Sequence, residues 1–575
     1  MRGESLMIKS HYPVLPLVLL SVIFVDFQRT FADDGLSRRW VYVQTNLQVT
    51  ENADRLEEIL RRAKVAGYNG MLLADYKLNV LDRVTDNYFT NARRIRELCD
   101  GLGMELVPAI GAFGYSAGIL AHDPNLAEGL PVREMPMVVR DGRVELAAPQ
   151  ENMIPGTFEE YRDHRFVGWN FQDEPGSGTF VDRQTKHGGA ASLRIENPPG
   201  VHGNRRVNKK LTVRPFGQYH ASVWIKSEEF DSANDVRMFA IGEDGRILSH
   251  TYLEVKPDQD WTQHHIVFNS LESKEVLFYL GVWDGHGGKL WLDDARVVEE
   301  PFVNLVRRAA CPLVVTNADG TIHYEEGRDF APLHDPQLGN VPYAGEYTIW
   351  HTPPQLTLLP GSRIRDRQEL KVSYYHTVIV HDGQVCCSLS DPKVFAILAD
   401  QVRRIDEVFS PRTWMLSHDE IRVANWSADD ERSGKSAGLL LADNVKRSIE
   451  IIRKQSPKAQ VCVWSDMFDP HHNARDKYYL VRGDLSGSWE GLPPEVTIIN
   501  WNHGQAAKSL PFFGQRGHRQ ILAGYYDHSP DAIRGWLSQS TAEDHIDGVM
   551  YTTWRSNFKN LEAFARAAWG ASAEP

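Results

Sequence analysis

The feature that most limits what this chain can fold into is a rhythm that starts, stops and resumes. Short apolar runs alternate with amphipathic stretches of helical period, the pattern of βαβ units and a parallel sheet. Trp40-Val41-Tyr42-Val43 reads as a first strand, and 52–66 as a helix with Leu56, Ile59, Leu60 and Ala63 on one face. Gly70-Met71-Leu72-Leu73-Ala74-Asp75 is a second strand, 91–102 a second helix, and Glu105-Leu106-Val107-Pro108-Ala109-Ile110 a third strand. From 151 to 300 the helical period gives way to alternating strands and turns, among them 191–195, 220–225 and 276–283. Strands at that spacing predict a β-sandwich. Residues 301–385 read as a connecting region, with a hairpin through Asn317-Ala318-Asp319-Gly320 and a strand over 371–380. The alternation then returns, with helices over 394–409, 437–455 and 560–569 and strands at 413–416, 461–464, 496–501, 520–526 and 548–554. Three strands before the interruption and five after it predict an α/β fold. It is a (β/α)8 TIM barrel interrupted between strands three and four by a β-sandwich of jelly-roll type. The barrel then occupies 38–150 and 386–572.

Composition narrows the partner. A formal charge of −13 over 575 residues argues against nucleic acid, since a phosphate backbone needs a basic surface. Fifteen tryptophans are a rich supply of the flat apolar faces on which sugar rings stack. The N-terminus reads as an export signal over 1–32: basic Arg2 and Lys9, an apolar run from Val14 to Val25, and Thr30-Phe31-Ala32 as a cleavage site. That run is about a dozen residues, short of the roughly 20 that span a bilayer. A secreted or periplasmic protein with no membrane span in the mature chain is therefore expected. The five cysteines (Cys99, Cys311, Cys386, Cys387, Cys462) show no metal spacing, and disulfides are not expected to hold the fold together.

Barrel active sites lie at the C-terminal ends of the strands, and the residues there share one character. Strand two ends in Asp75, strand four in His418-Asp419-Glu420 and strand five in Trp464-Ser465-Asp466. Strand six ends in Trp501-Asn502-His503, strand seven in Tyr525-Tyr526-Asp527 and strand eight in Trp554-Arg555. Carboxyls ringed by Trp and Tyr suit a sugar site: the acids move protons, and the aromatics bind ring faces and exclude water. An isolated Asp after a strand, such as Asp75, also serves as a helix cap. The adjacent acids Asp419-Glu420, directly after an apolar strand, are the strongest catalytic candidates.

At these residues the chain resembles glycoside hydrolase family 20, the β-N-acetylhexosaminidases. That family carries His-x-Gly-Gly-Asp-Glu at the end of strand four, after a helix rich in Glu, Val and Phe. Here Val402-Arg403-Arg404-Ile405-Asp406-Glu407-Val408-Phe409 precedes Met415-Leu416-Ser417-His418-Asp419-Glu420. Trp464, Tyr525-Tyr526-Asp527 and Trp554 match in the same order, and the likeness covers about 40–120 and 385–570. The resemblance implies Glu420 as general acid and then base. Asp419 would orient the substrate's 2-acetamido group, which is itself the nucleophile. It also implies that Tyr525 or Tyr526 binds the acetamido oxygen while Trp464, Trp501 and Trp554 wall the pocket. Burial and the Asp419 charge are expected to keep Glu420 protonated. The family's His is Met415 here, and its Gly-Gly is Ser417-His418. Its strand-one Arg has no counterpart in Val43-Gln44-Thr45-Asn46, and its strand-two His-x-x-Asp is Leu72-Leu73-Ala74-Asp75. The acid/base part is kept, while the part that grips the non-reducing sugar is not.

The insert resembles carbohydrate-binding modules of the galactose-binding jelly-roll type. The likeness rests on Trp169 and the runs 188–195, 219–226 and 290–295. Such modules hold a structural Ca2+, which implies Asp293 or Asp294 as ligand; catalysis itself is expected to need no cofactor. Three functions follow. The first is a secreted glycosidase cleaving N-acetylhexosamine-containing oligosaccharides, polysaccharides or glycoconjugates. The second is a glycosidase using two protein carboxylates, with Glu420 as acid and Asp466, Asp527 or Asp75 as partner. The third is a non-catalytic glycan-binding protein on a decayed barrel.

Overall fold

The computed structural model describes residues 36–570 apart from 149–150, 198–199, 341 and 382, so the expected export signal over 1–32 lies outside the described residues. Eight parallel strands close into a barrel in sequence order. They are β1 (Arg38–Thr45), β2 (Gly70–Asp75), β3 (Glu105–Ile110), β4 (Thr413–Leu416), β5 (Gln460–Trp464), β6 (Thr497–Asn500), β7 (Gln520–Leu522) and β8 (Ile546–Tyr551). The ring closes where Arg38 to Val41 of β1 pair with Gly548 to Tyr551 of β8. The strands are nearly unbroken apolar runs because both of their faces are covered; all four residues of β4 are buried. Trp40, Tyr42, Leu72, Val107, Met415 and Met550 fill the barrel interior as a core of their own. On the outside, the helix Thr50–Val65 buries Ala53, Leu56, Leu60 and Ala63. The helix Asp86–Leu102 stops at Gly103, whose φ of 61° is the left-handed cap that glycine adopts at least cost.

Two strands far apart in sequence are neighbours in the barrel: Ala109 and Ile110 of β3 pair with Met415 and Leu416 of β4. Between them the chain builds two further bodies. One has a five-stranded sheet, in the order 259–269, 218–228, 289–299, 192–196, 179–182, and a four-stranded sheet, 236–242, 275–285, 203–212, 171–172. Leu193, Val223, Val207 and Phe278, from both sheets, share one core, as in a β-sandwich.

The other body corrects the expected boundaries. Residues 130–146, assigned above to the barrel, form a separate antiparallel sheet with 305–306, 314–317, 323–324 and 369–376. Leu130–Arg140 pairs with Glu369–His376, and the sheet packs on its own core of Val132, Met137, Val315, Phe330 and Val372. The connecting region is thus half of a small domain whose other half precedes the sandwich. The five cysteines are buried and unbridged. Among the described residues no helix is long and apolar enough to cross a membrane.

Candidate active site

The turn after β4 is built by its own side chains. Ser417 N–H donates to Ile110 O at 2.7 Å, extending the β3–β4 ladder past the strand end. His418 then turns inward, with its ring 4.7 Å from Phe113 and its Nε2 2.8 Å from Asn444 Oδ1. The Asn444 amide N–H2 donates to Leu389 O, so its oxygen must accept from the His418 ring. Burial pushes the His418 pKa down to about 4, and the ring is a neutral anchor for the turn. Glu420 follows at a φ of 49°, a left-handed conformation costly for a non-glycine residue and found where surrounding contacts impose it. Those contacts are Glu420 N–H to Asp466 Oδ2 at 2.9 Å and Gln384 Nε2 to Glu420 O at 2.8 Å. Gly114 lies against the same turn: a β-carbon there would stand 2.2 Å from Asp419 O.

Asp419 and Glu420 both face a cavity of about 690 Å3 at the C-terminal mouth of the barrel, with Tyr42, Gln44, Asp75, Tyr76, Tyr115, Trp464, Trp501 and Trp554 in its walls. A volume of this order suits a small ligand. The two carboxyls have unlike surroundings. Glu420 Oε1 pairs with Arg422 Nη2 at 2.7 Å, and Tyr115 donates its hydroxyl to Oε2 at 2.5 Å. Arg422 is held in turn by Gln384 Oε1 at 2.5 Å. Among the described residues Asp419 forms no ion pair of its own, and Arg422 acts on it only as a minor opposing charge. Burial raises its pKa well above the ordinary carboxylate range, and the charges of Asp466 and Glu420 push the same way. Glu420 thus has polar and charged neighbours. Its carboxyl sits on a guanidinium, and the carboxyl that burial raises is Asp419.

The other expected residues divide into three groups. Trp464, Trp501 and Trp554 wall the cavity. Trp464 stands edge-on to Tyr42 with centroids 6.0 Å apart, and Trp554 forms the open rim at 45% exposure. A second group spends its carboxyls on positioning neighbouring groups. Asp466 is buried and spends Oδ2 on Glu420 N–H and on Asn473 Nδ2 at 2.9 Å. Asp527 accepts from the Thr553 hydroxyl at 2.6 Å and from Trp554 N–H at 2.9 Å, which fixes the rim tryptophan. Asp75 touches the cavity, but its oxygens take Leu47 N–H and Lys77 N–H, each at 2.9 Å, as a cap. The third group is displaced. Tyr526 is fully buried against Phe564, centroids 4.6 Å apart, so the expectation that it binds substrate is corrected. Tyr525 is half-buried, its ring edge-on to His528 at 5.3 Å, and does not line this cavity.

Sequence reasoning missed Tyr42, Tyr115, Arg422 and Gln384. Tyr42 was readable, because it shares the inward parity of Trp40 along β1. Tyr115 and Gln384 lie in loops with no periodic signal.

Asp293 and Asp294, the residues implied as Ca2+ ligands, are engaged by neighbouring N–H groups and a histidine ring. Asp293 Oδ2 accepts from His187 N–H at 2.8 Å and Gly188 N–H at 3.1 Å, and Oδ1 from Asp294 N–H at 2.8 Å. Asp294 Oδ2 meets His187 Nδ1 at 2.6 Å.

No family model matches the sequence, and a search of curated proteins finds no match. Among solved structures, a chitobiase from Flavobacterium johnsoniae is similar over 92% of this chain and 48% of its own, at 10% identity and a TM-score of 0.36. A rhamnosidase from Novosphingobium sp. PP1Y is similar over 90% of this chain and 55% of its own, at 10% identity and a TM-score of 0.31. A family 16 carbohydrate-binding module is matched over its whole length by 26% of this chain, at 18% identity and a TM-score of 0.19. The chain thus spans about half the length of the chitobiase and rhamnosidase chains.

Proposed function

We propose that this protein is a glycoside hydrolase working at the barrel mouth, with Asp419 and Glu420 as its two reacting carboxyls. The observation that carries this is their inequality within one aromatic-walled cavity. One carboxyl is raised by burial, and its neighbour rests on Arg422 and Tyr115. Paired carboxyls in unlike environments are how acid and base roles are divided. Trp464, Trp501 and Trp554 supply faces for sugar rings and keep water out.

The finer reading takes an N-acetylhexosaminide as substrate, with its acetamido oxygen attacking the anomeric carbon. It gains support from what the cavity lacks. Asp466 and Asp527, the protein nucleophiles of the rival scheme, are committed to Glu420, Asn473, Thr553 and Trp554. Asp75 is committed to two backbone N–H groups. In the arrangement implied by the family resemblance, Glu420 protonates the glycosidic oxygen and Asp419 holds the acetamido N–H. The raised Asp419 and the Arg422–Glu420 pair favour a second assignment, in which Asp419 protonates the glycosidic oxygen and Glu420 accepts the hydrogen bond of the acetamido N–H. Substrates with good and poor leaving groups separate the two, because removing the acid spares only activated leaving groups. Recovery of Asp419→Asn on activated aryl glycosides selects the second assignment, and recovery of Glu420→Gln selects the first. Hydrolysis of aryl N-acetylhexosaminides, but not of the matching hexosides, supports the acetamido nucleophile. Equal rates on both sink it. Export of the mature chain and glycan binding by the sandwich complete the proposal.

A further inference from the structure

A second cavity, of about 490 Å3, lies between the sandwich and the barrel and shares no lining residue with the first. Its sandwich wall is the outward face of the edge strand Val236–Gly242, which presents Arg237 and Phe239, together with Tyr252. Its barrel wall is the loop after β5, with Arg475, Lys477 and Tyr479. The two walls are tied together where His381 N–H donates to His250 O at 2.8 Å and His381 Nε2 meets the Tyr479 hydroxyl at 3.1 Å.

The chemistry of this cleft is unlike that of the barrel-mouth cavity, whose walls carry Asp75, Asp419 and Glu420. In a chain of charge −13, its walls carry Arg237, Arg246, Arg475 and Lys477 against, among the described residues, the single carboxylate of Asp244. Asp244 is taken by Arg246 at 3.6 Å. Arg475 and Lys477 are exposed, and among the described residues neither forms an ion pair. One of these cations stands beside a ring face: the Arg237 guanidinium lies 4.5 Å from the Tyr252 centroid. Two residues of the barrel wall, Lys477 at φ 54° and Tyr479 at φ 44°, hold left-handed backbone, which is costly for side chains of this size and clusters at ligand clamps. His250, also in the wall, has a buried Nε2 without a partner among the described residues. Burial keeps that ring neutral, its pKa lowered to about 3, so it offers a polar atom to a hydroxyl rather than a charge.

We infer that this cleft is a binding site for an acidic saccharide unit, a sugar ring bearing a carboxylate or a sulfate. The ring packs on Tyr252 and Phe239, the anionic group meets Arg475 and Lys477, and a hydroxyl satisfies His250. The inference rests on the glycosidase reading only in taking a glycan as the polymer. The cleft abuts the catalytic turn without being part of it: Arg422, which holds Glu420, lies with its guanidinium 5.0 Å from the Tyr479 ring.

The test is calorimetric titration of the full-length protein with three oligosaccharides of equal length: a hexuronate, a 6-sulfated N-acetylhexosamine and the unsulfated counterpart. The acidic ligands are expected to bind at least about tenfold more tightly than the neutral one, with affinity falling as salt rises. Arg475→Ala, Lys477→Ala and Tyr252→Ala should each weaken acidic ligands about tenfold. Preference for uronate or for sulfate identifies the source of the charge, and either supports the inference. Unchanged affinity in all three variants overturns it, as does inorganic sulfate binding as tightly as the saccharides. Repeating the titration in Glu420→Gln separates the two proposals. If the glycosidase reading fails, cleft binding persists in that variant; if only the cleft fails, wild-type hydrolysis of neutral aryl glycosides is untouched.

Discussion

Replacing Gly114 with alanine places a methyl carbon 2.2 Å from Asp419 O, 2.9 Å from Glu420 O and 3.1 Å from Glu420 C. All three are backbone atoms, so no side chain can swing aside to absorb the clash. Reaching an ordinary carbon–oxygen contact of roughly 3.3 Å requires the Asp419-Glu420 turn to move by about 1 Å. That turn is already held at an unfavourable φ by Asp466 and Gln384, and displacing it breaks those hydrogen bonds. A misplacement of about 1 Å at reacting groups costs on the order of 100-fold in rate, or about 2.7 kcal/mol of transition-state stabilisation. Overpacking adds about 1–3 kcal/mol of lost stability. The assay is kcat/KM for an aryl N-acetylhexosaminide, measured beside thermal unfolding to confirm a folded variant. Gly101→Ala is the control, because a β-carbon there meets nothing within 4 Å; it should keep full activity. A folded Gly114→Ala protein with wild-type kcat/KM would refute the claim that the turn's position governs the chemistry.

Asp466→Ala leaves Glu420 N–H and the Asn473 amide without their acceptor and should cost roughly 2–4 kcal/mol in urea unfolding; a loss below about 0.5 kcal/mol would show that Asp466 does not hold the turn. The two tryptophans should separate. Trp554→Ala, at a 45% exposed rim, raises KM with little change in melting temperature, whereas Trp464→Ala, 3% exposed, destabilises by about 3–5 kcal/mol. The pH dependence of stability has a definite sign. Below the ordinary carboxylate range both folded and unfolded chains hold the Asp419 proton; above it the unfolded chain releases it first, because the folded pKa is raised. Wild-type stability therefore falls as pH rises through that window, and Asp419→Asn removes this component of the slope. Melting curves from acid to mildly alkaline pH should show the variant gaining on wild type, and a constant difference would contradict the raised pKa.

The barrel was legible because parallel strands covered on both faces must be apolar, so runs such as Trp414-Met415-Leu416 announce themselves. The helices Ala506–Gly514 and Ala532–Gln539 were not foreseen; the first carries Pro511, which weakens any helical pattern. Residues 130–146 were misplaced because sheet partners are set by three-dimensional closeness, and Leu130–Arg140 finds its partner only at 369–376. The site shows the same division. Trp464, Trp501 and Trp554 follow directly from strand ends. Tyr526 could not be assigned a face, since β7 ends at Leu522 and strand parity stops with it. Arg422 lies two residues beyond Glu420, outside the motif, and only the folded turn brings its guanidinium onto the carboxyl.

The most direct test of the central claim is hydrolysis of an aryl N-acetylhexosaminide bearing a poor leaving group by wild type, Asp419→Asn and Glu420→Gln, with folding verified for each. The account predicts turnover by wild type and a loss of about 100-fold or more in both variants. Wild-type turnover that both variants retain would contradict it, as would tight glycan binding without hydrolysis by the wild-type protein.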